Sequence, residues 1–294
     1  MRVPTQLQGA GALTELDLIR SRSQRAASEL SSGLRVQKPS DDPVAASRGN
    51  QIRDRLSQLE HYREGTGRAE SEVHAVDNVL DQLERLMDVA ITSGARGRSG
   101  LSTPTQFQAL ADEVDSIREE ILRLANSEHR GSSLFAGRQT RTQAFVDSGG
   151  VVTYQGDSLA PTSRVGDQSV VETTIPGDGL FVTGGDVFQV LADLRDALAS
   201  GDTDRVRIEM QNAEQVGSRF TDFRARLGST MQELSRHSAH LSSENVLEQT
   251  NLSREIDTDL VDAISRLTAA DQALQAALGA GGRLLTISLM DVLG

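Results

Sequence analysis

Apolar residues recur at alternating spacings of three and four positions near both ends of the chain. This spacing is typical of α-helices whose apolar stripe packs along another helix. Aromatic residues make up only 3% of the chain and Trp is absent, which favours narrow seams between helices over one thick core. The residues predicted to form these terminal seams, and to become buried when subunits assemble, are Leu16, Ile19, Ala26, Leu30, Leu34, Leu260, Ile264, Leu267, Leu274, Leu278 and Leu285.

The stretch LSSGLRVQKPSDDPVAA, residues 30–46, interrupts the first helical pattern. Gly33 suits the left-handed conformation that often follows the last turn of a helix. Asp42 is a natural N-cap for the next helix, and Pro43 then occupies the first helical position, where its missing N–H costs nothing. We expect a connector between two domains here, formed by Gly33, Pro39, Asp41, Asp42 and Pro43.

Further helical patterns alternate with loops over the rest of the chain. The second helix is expected from about 44 to 91, followed by a loop at 93–100. The third has a capping box, with Thr103 as N-cap and Gln106 three residues later. Residues 131–185 are rich in Gly, Thr and Val and predict short strands. Asp186 is a plausible N-cap for a fourth helix, and a very long fifth helix follows, with a bend expected near 242–251. Glycines at 279–282 weaken the last helix.

The predicted fold class is therefore mainly α. We expect a long antiparallel helical rod or coiled-coil bundle formed by both chain ends, with a small inserted β-rich domain. Residues 1–42 and 255–294 would form an inner coiled-coil domain. Residues 43–135 and 186–254 would form a helical rod domain, and residues 136–185 an outer β-rich domain.

Composition excludes several classes of protein. The net charge of −12 argues against binding to nucleic acid or to an anionic membrane surface, because both need a basic footprint. No apolar run approaches the length of a membrane span, and the N-terminal segment lacks the apolar core of a secretory signal peptide. The chain has no Cys, so it offers no disulfide, thiolate metal ligand or Cys nucleophile.

No constellation of catalytic residues is evident, so no enzymatic activity and no cofactor are expected. The chain lacks a G-x-S-x-G elbow, an H-E-x-x-H motif and a phosphate-binding loop. His237 and His240 stand three residues apart on a predicted helix, which is a spacing that metal ligands can have. Without a third ligand they are better interpreted as a solvated helix face, and a helical metal-binding module is a remote alternative.

Two motifs at opposite ends of the chain resemble the bacterial flagellin superfamily. LSSGLRV followed by SDDPVAA is similar to its N-terminal signature, and DTDLVDAISRLTAADQALQAAL (257–278) to its C-terminal counterpart. Val44-Ala45-Ala46 replaces the usual Ala-Gly of flagellin after Pro43. That variant, the segment GSSLFAGRQTRTQAF (131–145) and the ending SLMDVL resemble the junction proteins between hook and filament. The resemblance covers essentially the whole chain.

The resemblance implies an extracellular structural protein of the bacterial flagellum. It implies self-association in a ring, contact with a neighbouring hook-associated protein and with flagellin subunits, and neither nucleic acid nor membrane as a partner. It also implies export through the flagellar type III apparatus without a cleaved signal peptide, with an export chaperone on the C-terminal helix. A short flagellin that forms the filament itself is the alternative.

Overall fold

The computed structural model describes residues 5–98 and 103–293, with side chains described between residues 13 and 280. Its α-helices confirm the mainly α fold class. The helices are α1 (Thr5–Ser32), α2 (Pro43–Arg98), α3 (Pro104–Ala125), α4 (Val187–Ser200), α5 (Thr203–Ile256) and α6 (Leu260–Leu293).

The chain divides into two compact units. The first unit combines the chain up to Gln58 with the chain from Glu244 onward, and the second unit runs from Leu59 to Ser243. Both α2 and α5 therefore contribute residues to each unit. The division into three domains at other boundaries remains a prediction.

Helix α2 does not end where the sequence pattern places a loop. It continues through Ser93 to Arg98, so the predicted loop is wrong for residues 93–98, and residues 99–102 lie outside the described residues. The glycines in this stretch permit close packing and do not form a turn. A Cβ on Gly94 would lie 3.4 Å from Leu194 Cδ1, and one on Gly97 would overlap the Leu198 side chain.

Helix α5 is continuous from Thr203 to Ile256, and the bend expected near 242–251 remains a prediction. Polar side chains there make contacts along the helix, such as Gln249 Nε2 donating to Asn245 Oδ1 at 2.8 Å. Helix α6 continues through the glycines at 279–282, since a cost of about 1 kcal/mol per Gly weakens a long helix without ending it.

The predicted helix starts are confirmed by their hydrogen bonds. At α3, the Thr103 Oγ1 accepts from Gln106 N–H, and Gln106 Oε1 accepts from Thr103 N–H at 2.7 Å. At α4, the Asp186 carboxylate accepts from the N–H groups of Phe188 and Gln189. Each cap satisfies backbone donors that have no partner inside the helix.

Three short antiparallel strand pairs lie in the described segment between α3 and α4, in agreement with the predicted short strands. The pairs are β1 (Glu128–His129) with β2 (Ser132–Ser133), β3 (Phe145–Ser148) with β4 (Val151–Tyr154), and β5 (Thr162–Arg164) with β6 (Val170–Glu172). A single π-helical turn, Asp178–Val182, precedes α4. Each strand pair is a separate two-stranded sheet, so its stability depends on packing against the helices.

The core of the second unit concentrates most of the chain's few aromatic rings. Phe181, on the π-helical turn, is fully buried, and four other phenylalanine rings lie around it at centroid distances of 5.1–5.9 Å. They come from the loop after β2, from β3, from α4 and from α5: Phe135, Phe145, Phe188 and Phe220. The β segment and the helices of this unit therefore share one core.

Candidate subunit interface and connector

The connector between α1 and α2 is hydrogen-bonded to the junction between α5 and α6. Gly33 has a φ of +71°, as its position after α1 predicted, and its carbonyl accepts from Thr258 N–H at 2.9 Å. The N–H groups of Arg35 and Val36 both donate to the carbonyl of Ile256, at 2.8 and 3.2 Å. These bonds join two chain segments that are more than 200 residues apart in sequence.

A small apolar cluster supports the same junction. Val36, Ala45 and Ile256 are buried together, and Leu34 packs against them. A Cβ on Gly49 would lie 3.0 Å from the Ile256 side chain, so helix α2 can approach α5 closely at this glycine. Pro39 is exposed on the connector.

The two acidic residues of the connector organise its backbone. Asp41 Oδ2 accepts from the N–H groups of Lys38 at 2.9 Å and Gln37 at 3.2 Å. Asp42 caps α2 by accepting from Ala45 N–H at 3.0 Å, and it pairs with the Arg35 guanidinium at 3.2 Å. The Lys38 N–H bond lowers the pKa of Asp41, and the Ala45 N–H bond, assisted by Arg35, lowers the pKa of Asp42, from the ordinary value of 3.8.

These shifts predict that acid loosens the connector. A carboxyl group whose pKa is lower in the folded state stabilises that state above its unfolded pKa, and the contribution is lost as the pH falls through the folded value. Amide protection in residues 30–46 should therefore decline below about pH 4. Hydrogen exchange measured between pH 5 and pH 2 checks this result. The start of α3, which has the neutral cap Thr103, is the internal control.

The double variant Asp41→Asn/Asp42→Asn keeps the side-chain acceptors but removes the titration. Its connector should show weaker protection at pH 5 and no additional loss at lower pH. Equal acid sensitivity of the wild-type and variant connectors would contradict the assignment.

Helices α1 and α6 pack on each other and bring together part of the predicted seam. Ala26 is buried, and the predicted seam residues Leu16, Ile19, Leu30, Leu267 and Leu274 are half-buried. Polar contacts flank these residues: Ser23 Oγ donates to Asp271 Oδ1 at 2.8 Å, and Arg266 lies 2.9 Å from the buried Glu29 carboxylate. Leu34 lies in the connector cluster instead, and the side chain of Leu285 lies outside the described residues.

Alanines line much of the α6 face that meets α1, and sequence reasoning missed them. Ala263 is buried, whereas Ala270 and Ala277 are half-buried. Together with Leu267 and Leu274 they complete a regular three-and-four spacing, which could have identified this face. The prediction included the more apolar residues Leu260, Ile264 and Leu278, which lie on a neighbouring stripe of α6. They are 52%, 51% and 58% exposed.

The α1–α6 pair therefore has two different flanks. On one flank, a groove of about 320 Å³ has an apolar floor and three arginines, and its lining residues are Ile19, Arg22, Arg25, Ala26, Arg266, Ala269, Ala270 and Ala273. At 3.6 residues per turn, Leu260, Ile264 and Leu278 fall on the opposite flank of α6. We call these two surfaces the groove and the ridge.

The histidines predicted as remote metal ligands lie on α5. His237 Nε2 is 3.8 Å from Glu233 Oε1. Among the side chains described in residues 13–98 and 103–280, no group of three or more His, Asp and Glu is arranged to hold a metal ion. None of the helices in that part of the chain is long and apolar enough to cross a membrane.

Comparisons with known proteins place this arrangement in a family context. A family model for the bacterial flagellin N-terminal helical region matches residues 3–140. Flagellar hook-associated protein 3 of Salmonella typhimurium is 25% identical to the chain, and the alignment covers 94% of each protein. A flagellin of Bacillus subtilis is 23% identical, over 56% of this chain and 50% of its own.

The fold is shared with a solved relative. The crystal structure of Xanthomonas campestris FlgL matches with a TM-score of 0.63 at 18% identity, covering 68% of this chain and 99% of its own. Residues 3–140 thus match the bacterial flagellin N-terminal helical region, and the chain is similar to flagellar hook-associated protein 3 over 94% of its length.

Proposed function

We propose that this chain is a structural subunit of the bacterial flagellum that forms the hook–filament junction. The observation that supports this role is the length over which each of two relatives aligns with the chain. The similarity to hook-associated protein 3 covers 94% of both proteins, whereas the similarity to the Bacillus subtilis flagellin covers about half of each. In this role the chain adapts hook-side subunits to the first flagellin subunits of the filament.

The two flanks of the α1–α6 pair support self-association in a ring. Because the groove and the ridge differ, a contact between them joins unlike surfaces of successive copies, and such a contact generates a ring or a helix. Burial of the ridge would also remove exposed apolar area from water.

The exposure of the ridge is also consistent with binding to other proteins. Val261, which is 75% exposed, adds to the apolar surface of α6 near the ridge. Before assembly, such a surface would favour aggregation, so an export chaperone covering the C-terminal helix fits the exposure. After export through the flagellar type III apparatus, a neighbouring hook-associated protein and flagellin would contact the assembled ring. No cofactor is needed for a mechanism of this kind.

The domain division belongs to this proposal. Residues 1–42 with 255–294 would form the terminal coiled-coil domain that assembles. Residues 43–135 with 186–254 would form the rod domain, and residues 136–185 the β-rich domain. Of the terminal seam residues, the exposed Leu260, Ile264 and Leu278 would be buried on assembly, and Leu285 with them.

A deletion separates this function from that of a flagellin. Cells that lack the gene should build hooks, carry no filaments and release unpolymerised flagellin into the medium, because the adaptor between the two assemblies is missing. Motility should be lost, and the intact gene should restore it. Electron microscopy of the cells and immunoblots of the culture medium measure both effects.

Filaments of normal length on the deletion strain would overturn the proposal. Purified chains that polymerise by themselves into long filaments would favour the alternative of a short flagellin.

A further inference from the structure

A small polar cavity lies inside the second unit, where α2 meets two of the strand pairs. Its volume is about 60 Å³. Most of its lining side chains carry oxygen or nitrogen atoms. The lining residues are Glu72, His129, Ser132, Ser133, Leu134, Thr140, Pro161 and Thr174.

Two hydroxyl groups in this lining are buried without a protein partner. Ser133 is 5% exposed and Thr174 is 8% exposed. Neither Ser133 Oγ nor Thr174 Oγ1 has a hydrogen-bond partner among the residues that the structure describes. A buried hydroxyl that makes no hydrogen bond destabilises the folded state, so a ligand that bonds to both would be favoured here.

We propose that the cavity is a binding site for water, holding a pair of bound molecules. A cavity of about 10–15 Å³ on this measure suffices for one buried water molecule, so the volume accommodates two. Buried waters need two to four polar partners each. The two hydroxyls, the Glu72 carboxylate and the His129 imidazole supply donors and acceptors at this site.

The bound pair links three chain segments. Glu72 lies on α2, Ser133 on β2, and Thr174 follows β6. Direct contacts already join both strand pairs to α2: Ser71 Oγ lies 3.1 Å from His129 Nε2, and Ser163 Oγ donates to the Gly65 carbonyl at 3.3 Å. Water bridges would add to this attachment of the β1–β2 and β5–β6 pairs.

The sign of a stability change tests the proposal. Ser133→Ala removes one hydroxyl, and Thr174→Val replaces one with a methyl group in a side chain of similar shape. If the hydroxyls bond to water, each substitution should lower the melting temperature of the full chain by about 2 °C, because the waters lose a partner. If the cavity is dry, each substitution should raise it, because an unbonded hydroxyl is removed.

Two control variants distinguish loss of a hydroxyl in the cavity from loss of a buried hydroxyl elsewhere. Thr66→Val removes a hydroxyl that is also buried but that already donates to the Tyr62 carbonyl at 2.9 Å, outside the cavity. Thr174→Ser keeps the hydroxyl and should keep the waters. Magnetic relaxation dispersion of water counts long-lived bound molecules directly.

The double variant Thr174→Val/Ser133→Ala should hold fewer long-lived waters than the wild type, whereas Thr66→Val and Thr174→Ser should match it. An unchanged count in the double variant, or a higher melting temperature, would overturn the proposal. A melting temperature of the wild type that rises with added Na⁺ or Mg²⁺, and does not rise in the double variant, would identify a cation as the ligand instead.

Discussion

Replacing Phe181 with alanine is expected to lower the free energy of unfolding of the second unit by about 3–5 kcal/mol. The ring is fully buried and contacts four other aromatic rings, which come from four separate parts of the chain. Removal leaves a cavity that the surrounding β segment and helices cannot both close. Because the core is shared, the strands and the helices of this unit should be destabilised together.

Tyrosine fluorescence gives a selective measurement of this effect. The chain has no Trp and two Tyr residues, Tyr62 and Tyr154, and both lie in the second unit. Urea unfolding followed by this signal therefore reports on that unit alone. The matched control is Val182→Ala. Val182 lies on the same π-helical turn but is 37% exposed, so this substitution should lower the free energy of unfolding by less than about 1 kcal/mol. A similar small cost for Phe181→Ala would contradict a shared core.

Cross-linking between the ridge and the groove is the second large expected effect. The chain contains no Cys, so single cysteines can be introduced without background. Ile264→Cys marks the ridge and Ala273→Cys marks the groove. Because the proposed contact joins unlike surfaces, flagella isolated from cells that express both variants together should yield covalent dimers with a short bismaleimide. Each variant expressed alone should yield monomers.

The controls for this experiment follow from the helix geometry. A chain with both cysteines should form a ladder of multimers, since every copy offers both surfaces. Gln272 is next to Ala273 in sequence and is exposed, but at 3.6 residues per turn it points away from the α1–α6 contact. The variant Gln272→Cys, expressed together with Ile264→Cys, should therefore not cross-link. Dimers from Ile264→Cys alone would indicate a two-fold contact and would contradict the ridge-to-groove arrangement. The amount of the protein in the same flagella is measured separately, so that a missing cross-link can be told apart from a missing protein.

Local signals accounted for the parts of the fold that could be predicted from sequence. The capping box at Thr103, the N-cap at Asp186 and the left-handed Gly33 each depend on only a few neighbouring residues. In α3, the apolar residues Val114 and Ile121 stand seven positions apart on one helix face, and both are fully buried.

Tertiary contacts decided the features that were predicted wrongly or missed. Gly94 and Gly97 were interpreted as loop residues, but they remain helical where α2 passes close to Leu194 and Leu198. The phenylalanine cluster could not be foreseen, because its members are separated by up to 85 residues, from Phe135 to Phe220.

The predicted seam combined two stripes of α6. One faces α1 through Leu267 and Leu274, and the other is the exposed ridge. Sequence periodicity identified an apolar helix but could not assign each stripe to a partner, because the ridge is exposed within the part of the chain that the structure describes.

The location of the protein on intact flagella tests the central claim most directly. Immunogold labelling with antibodies against the native chain should place gold at one position on each flagellum, where the hook ends and the filament begins. Deletion cells should show no label. Gold distributed along the whole filament, or absent from flagella that carry normal filaments, would contradict a junction subunit.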